Sequence, residues 1–183
     1  MKTLYVDERI NYTGEELRAH WIYSRFGILG DAVVAFKGEV NVPRDKMIDI
    51  SEVKENSYIY SPLMLNFIIE HFCNDLDLGI YRQRLFMVCI LEELLQHSVP
   101  ATRRGDNIYI HKNKLSVSIA TATTVSTLIH VGLNIESAGT PVDTSGLTEL
   151  GIQDISSLAE NIMLRYIREL EQINDARCKV RAV

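Results

Sequence analysis

The stretch from Arg103 to Ile135, RRGDNIYIHKNKLSVSIATATTVSTLIHVGLNI, constrains the fold of this chain more than any other. In a strand successive side chains point to opposite faces, so a half-buried strand repeats with period two. From Lys114 to Thr121, Leu115, Val117 and Ile119 fall on one face, and Lys114, Ser116, Ser118 and Ala120 fall on the other. The next segment repeats the pattern, with Ile129, Val131, Leu133 and Ile135 on one side and Ser126, Leu128, His130, Gly132 and Asn134 on the other. The stretch reads as a run of antiparallel strands with one apolar face. Its second face carries small polar groups and a lysine instead of the long charged side chains of a solvent face. Two occupants need such a face, a ligand lying on a pocket floor or a closely packed helix. Ligand sites are mostly apolar concavities with a few placed polar groups, which favours the pocket.

The flanking segments supply helices. Leu4 to Val6 reads as a short edge strand. Thr13 and Glu16 have capping-box spacing, which predicts a helix that carries Leu17, Trp21 and Ile22 inward and stops at Gly27. After the Gly30-Asp31 turn, AVVAF begins the first central strand, and Met47 to Ile50 reads as a further one. Ser61-Pro62 has the form of a helix start, with Ser as cap and Pro at the first helical position, so the apolar run Leu63 to Phe72 reads as a buried helix. Asp75 to Gly79 reads as a break, and Arg82 to His97 as a helix closed by Pro100. The loop ESAGTPVDTSG is long enough to act as a lid or binding loop. In a last helix, Ser157 to Ile173, Leu158, Ile162, Tyr166 and Leu170 form one apolar row, with Ala159, Met163 and Ile167 beside it. This order of elements predicts an α+β fold, a mainly antiparallel sheet flanked by helices. With no linker or repeat, residues 1–183 read as one domain.

Composition narrows the function classes. The formal net charge is -5, and basic residues gather only at Arg103-Arg104 and from Arg177 to Arg181, which disfavours a nucleic-acid partner held on a broad basic face. Cys73, Cys89 and Cys178 are odd in number and lack metal-ligand spacing, as expected of buried free thiols in a reducing compartment. The N-terminus has no apolar signal core and no window approaches the ~20 apolar residues of a membrane span, so a cytoplasmic protein without a membrane partner is expected. Phosphate-loop, dinucleotide, nucleophile-elbow, HExxH and CxxC motifs are all missing. The five histidines lack mutual ligand spacing, and no metal site is expected.

Within the central stretch, Lys114 enters its strand just after the His111-Lys112-Asn113 turn. A lysine on a small, uncharged sheet face is costly to desolvate unless it meets an anion such as a carboxylate or phosphate. At a sheet edge it could instead snorkel to water.

A helix followed by RRGDNIYIHKNKLSVSIA, then a strand ending VGLNI and the loop TPVDTSGLTELGI, resembles the central part of the biotin and lipoate protein ligases, which share the class II aminoacyl-tRNA synthetase fold. The whole chain, through YTGEELRAHWIYSRFG, GDAVVAFKGEV, KLSVSIAT, STLIHVGLNI and CKVR, is similar to the domain-of-unknown-function family numbered 366, which is classed with that fold. The ligase resemblance implies a small-molecule ligand, ATP or an acyl carboxylate such as biotin or lipoate, and ligase- or transferase-like acyl-adenylate chemistry. It makes Lys114 the catalytic residue, neutralising charge as a carboxylate attacks the α-phosphate. Asp106 and Asn107 resemble the residues before the ligase hairpin, and Asn134 the asparagine of the late strand. Two features depart from the ligases. FKGEVNVPRDKMID replaces their Gly/Arg-rich nucleotide loop, leaving Lys37, Arg44, Arg103 and Arg104 as alternative phosphate contacts, and Val117 stands where they place Gly. With Lys114, the candidate substrate-binding set is Arg104, Asp106, Asn107, Ser116, Ser118, His130 and Asn134. The reading is a small-molecule-binding protein or enzyme that recognises an anion at Lys114. Its alternative is a catalytically inactive scaffold for a protein partner or a homo-oligomer, and a transferase directed at tRNA or a carrier protein stands third.

Overall fold

The computed structural model describes residues 1–50, 54 and 58–182. In chain order the elements are β1 (Lys2–Val6), α1 (Trp21–Phe26), β2 (Ala32–Val42), a 3-10 turn at Arg44–Lys46, β3 (Ile59–His71), α2 (Leu76–Gln96), β4 (Ala101–Arg104), β5 (Asn107–Ile110), β6 (Asn113–Lys114), β7 (Ser116–Ala122), β8 (Thr127–Asn134) and α3 (Ile155–Lys179). The main sheet has the order β1-β2-β3-β8-β7, and β4-β5-β6 form a smaller one. Among the described strand pairs only β1–β2 is parallel, so the fold is α+β with a mainly antiparallel sheet.

Both faces of the main sheet are covered. On one, Val33, Leu65, Phe67, Val131 and Leu133 pack against Phe86 and Ile90 of α2 and Ile162 and Tyr166 of α3. On the other, Val34, Phe36, Met64 and Ile68 pack under Tyr12, Leu17, Trp21 and Ile22. The segment Leu63 to Phe72, expected as a helix, is therefore strand β3. A strand buried on both faces is a continuous apolar run, which periodicity alone cannot separate from a buried helix. The Ser-Pro pair lies where the β2–β3 register shifts, between the Val40–Ser61 and Gly38–Met64 pairs. There the missing Pro62 N–H removes no ladder bond.

Four further boundaries differ from expectation. The Thr13–Glu16 box forms, with the Thr13 N–H donating to Glu16 Oε2 at 2.8 Å, but His20 adopts φ 64 and confines α1 to the residues after it. Asp75 and Gly79 do not break the chain. Asp75 caps α2 by accepting from the Leu78 N–H at 3.0 Å, and Gly79 lets the helix approach Thr127, 3.1 Å from where its Cβ would be. Met47 to Asp49 is irregular rather than a strand, and α3 runs past Ile173 to Lys179. All three cysteines are free. Cys89 is buried, and desolvation pushes its thiol up to about 12, whereas Cys73 is half-buried and Cys178 exposed.

At the bulge in β2, residues 10–12 lie alongside the strand, with the Ile10 N–H donating to Lys37 O at 2.9 Å and the Tyr12 N–H to Glu39 O at 2.8 Å. A Cβ on Gly38 would stand 1.9 Å from the Ile10 carbonyl oxygen. Gly38→Ala is expected to lose about 1–3 kcal/mol of stability, the usual cost of overpacking. An unchanged urea midpoint would contradict this close approach.

Candidate functional site

Lys114 is anchored through its backbone. Its N–H donates to the Asp143 carbonyl at 3.0 Å, and its own carbonyl accepts from the Ser145 N–H at 3.1 Å and from Asn134 Nδ2 at 3.4 Å. The Ser/Thr-rich loop is thus pinned to the strand at residues 143–145, while its tip is tied by Thr140 Oγ1, 2.7 Å from Thr144 Oγ1. The Lys114 side chain is half-buried and lines two cavities. One, of about 160 Å³, is bordered by Tyr12, Lys46, Asp49, Asp106, Asn107 and His130. The other, of about 110 Å³, is bordered by Tyr58, Tyr60, Met64, Asn134, Pro141 and Val142. Among the described residues no carboxylate pairs with the Lys114 ammonium. Asp106 faces Arg84 Nη1 at 3.3 Å and accepts from Asn107 Nδ2 at 3.0 Å.

Ser116 and Ser118 do not share a face with His130. The ladder is interrupted at Leu115, between β6 and β7, and Leu115 joins the helix-covered core. Ser116 then turns to that same side, opposite Leu133, and its Oγ accepts from the Ile108 N–H at 2.8 Å. Ser118 Oγ accepts from Gln83 Nε2 of α2 at 2.7 Å and donates to the Asp106 carbonyl at 2.9 Å. The two hydroxyls seat α2 and the small sheet. Val117 and Ile119, expected to share a face with Leu115, instead lie opposite Gly132 and His130 and pack toward the other core. Val117 and Ile119 therefore add apolar side chains to the cavity lining, while Ser118 still borders the cavity of His130 and Ser116 that of Asn134. Arg104 lies outside both cavities, its guanidinium 5.2 Å from the centroid of the Tyr109 ring.

His130 is a buried polar group of the floor. Its ring stacks on Tyr12 with centroids 3.7 Å apart, and Nε2 is 3.0 Å from Asn66 Oδ1. Asn66 Nδ2 donates to Met64 O at 3.3 Å, so its oxygen must accept from a protonated Nε2. Burial pulls the imidazole down to about 3, leaving it neutral, and also pushes the Tyr12 hydroxyl up. At neutral pH the floor offers no positive charge of its own, and the cations of the site are Lys114 and Lys46, the latter 3.1 Å from Glu15.

Tyr12 and Lys46 were not legible as site residues. Tyr12 reaches the site through a parallel bridge to Val40, a contact distant in sequence, and Lys46 ends the short 3-10 turn, in which the sequence pointed to Arg44 instead. A wider groove of about 790 Å³ lies between α2 and α3. At its base Asp31 Oδ2 meets His71 Nδ1 at 2.9 Å, and His71 Nε2 meets the Tyr166 hydroxyl at 2.9 Å. The His71 bond, foremost, lowers the Asp31 carboxyl, while burial lowers His71 itself. His71 therefore donates from Nδ1 and accepts from Tyr166, and the three groups satisfy one another.

The family model described as "Domain of unknown function (DUF366)" matches residues 1–181. An uncharacterised protein of Methanocaldococcus jannaschii is 35% identical over 179 residues, covering 94% of this chain and 81% of that protein. The structure of a protein of unknown function from Pyrococcus horikoshi superposes with a TM-score of 0.93 at 38% identity, covering 100% of both chains. A lipoate protein ligase candidate from T. acidophilum, with bound lipoic acid, superposes with a TM-score of 0.60 over 93% of this chain and 86% of that one. At 12% identity that likeness is one of fold, and the fold is that of the biotin and lipoate protein ligases.

His130 generates a pH prediction. It stays neutral in the folded chain but takes a proton in the unfolded chain below its ordinary value of 6.5, so its contribution to stability is full above pH 6.5 and is lost as pH falls toward 3. The expected slope is about 1.4 kcal/mol per pH unit for this one group. His130→Gln, which can still donate to Asn66, should flatten the urea-stability profile by about one proton between pH 6 and 4. Identical slopes in the two proteins would contradict a neutral His130.

Proposed function

The chain belongs to the DUF366 family, and we propose that it binds a small anionic ligand, a carboxylate or a nucleotide phosphate, at the ammonium of Lys114. The observation that carries this reading is a half-buried lysine, without a carboxylate partner among the described residues, placed where two cavities meet. Desolvating an ammonium is costly, and an incoming anion offsets that cost while displacing water from both cavities. Asp106 does not compete strongly for the lysine, because Arg84 and Asn107 already engage it.

The two cavities differ in character, which supports a ligand with two limbs. The His130 side carries Lys46, Asp49, Asp106 and Asn107 and suits a polar limb. The loop side, with Met64, Pro141 and Val142, suits an acyl limb. Lipoic acid bound to the T. acidophilum protein of the same fold is the analogy for a carboxylate, and it supports the class of ligand rather than its identity. In an acyl-activating reaction Lys114 would neutralise charge developing between carboxylate and phosphate oxygens, and Lys46 would be the second cation within the polar cavity.

The test is the thermal shift of the wild type and Lys114→Ala against ATP, AMP, biotin, lipoate and short acyl carboxylates. A ligand at about 100 times its dissociation constant should add about 2.7 kcal/mol to the wild type and nothing to the variant. If no adenylate or carboxylate shifts the wild type, the anion site is wrong and the inactive-scaffold alternative replaces it.

A further inference from the structure

We propose that two copies of this chain pair through the groove between α2 and α3, with their α3 helices antiparallel about a two-fold axis at Asn174. The groove, of about 790 Å³, shares no lining residue with the cavities at Lys114, so the pairing is independent of the anion site. Helix α3 is buried at Leu158, Ile162 and Tyr166, but from Glu171 to Lys179 every residue is exposed. Those last turns gain no packing from the chain itself, although packing of one face supplies most of the stability of a helix in a protein. The groove beside them is edged by apolar side chains left in water, Tyr81 at 71% and Ile173 at 53% exposure.

The charge pattern identifies the occupant. At about 100° per residue, Ile167, Leu170, Glu171, Asn174 and Arg177 share the face of α3 that lines the groove. Asn174 stands at the middle of that face, with the acid Glu171 and the base Arg177 at equal separations before and after it. In an isologous pair residue i meets residue j while j meets i. An antiparallel copy with its axis at Asn174 therefore places Glu171 opposite Arg177 of the second copy, and Arg177 opposite Glu171 of the second copy. Among the described residues neither group has an ion-pair partner within the chain. Glu171 and Asp175, one helical turn apart, repel each other, and a cation delivered from outside relieves that repulsion. A sequence of acid, amide and base centred on one residue is complementary to its own reverse, which singles out a second copy over an unrelated protein. Tyr81, Leu170 and Ile173 then supply the apolar area around the axis.

The experiment is analytical ultracentrifugation of the full chain over a concentration series reaching about 100 µM, at which the wild type should be dimeric. Glu171→Arg and Arg177→Glu change exposed positions and leave the monomer folded. Each turns both ion pairs of the dimer into repulsions and should raise the dissociation constant about tenfold. The double variant Glu171→Arg/Arg177→Glu exchanges the two signs and should return to within about threefold of the wild type. A cross-link checks the axis independently. In a Cys73→Ser/Cys178→Ser background, Asn174→Cys should give a disulfide-linked dimer on mild oxidation, whereas Gln172→Cys, which lines the opposite flank of α3, should not. A wild type that stays monomeric overturns the pairing and leaves the groove to a different occupant. A dimer that neither single variant weakens, or that the double variant does not restore, overturns this interface.

Discussion

Two strands, β3 and β8, are buried on both faces along most of their length, and the rest of the structure accommodates that constraint. Their backbones pair with each other and with β2 and β7, but their buried polar side chains have little access to water, and all but Ser61 and Thr127 among the described ones find protein partners. Glu70 accepts from the His20 N–H at 2.9 Å and from Ser126 Oγ at 2.8 Å, which fixes the turn before α1 over the sheet. His71 ties the strand end to Asp31 on one side and to Tyr166 of α3 on the other. Asn66 holds His130, and Asn134 reaches the Lys114 carbonyl. Leaving any of these groups unpaired would cost about 1–3 kcal/mol, so the polar contacts choose where the covering elements lie while apolar burial supplies most of the driving force.

The interruption at Leu115 decides which chemistry the sheet presents. With uninterrupted alternation, Ser116 and Ser118 would join Lys114 and His130 on one polar floor. Because Leu115 and Ser116 both turn toward the helices, the serines become hydrogen-bonding seats for α2 and β5 at the cavity margins, and Val117 and Ile119 join the lining. Of the two occupants a small polar face can receive, the helix takes β7 and the cavity takes the opposite face. The lysine escapes the exchange because it precedes the interruption, where the hairpin and the pinned loop hold it from both sides.

Charge at the site is concentrated by this arrangement. The imidazole of His130 is neutral, Asp106 is engaged by Arg84 and Asn107, and Lys46 lies near Glu15, which leaves the Lys114 ammonium as the cation without a carboxylate partner among the described residues of the cavity walls. A cation flanked by an apolar floor acts on an anion through a lower effective dielectric than one in water. The anion binding proposed for Lys114 rests on this desolvation.

The sequence by itself determined the α+β class, the hairpins around Lys114, the face that β8 turns to each core, and the inward rows of the last helix, because these depend on local periodicity and turn chemistry. The family resemblance was carried by the same motifs and extends to the fold. Only the tertiary structure decided that Leu63 to Phe72 is a strand, since a run buried on both sides has no period to read, and that Gly79 is a packing contact, since Thr127 is far from it in sequence. It also decided the parity of β7, because a single interrupted residue reverses every side chain after it, a reversal set by the pairing of Ser116 with Leu133 rather than by any local signal. Tyr12 and Lys46 belong to the cavity for the same reason: they reach Lys114 through contacts that form only when the chain closes over its own sheet.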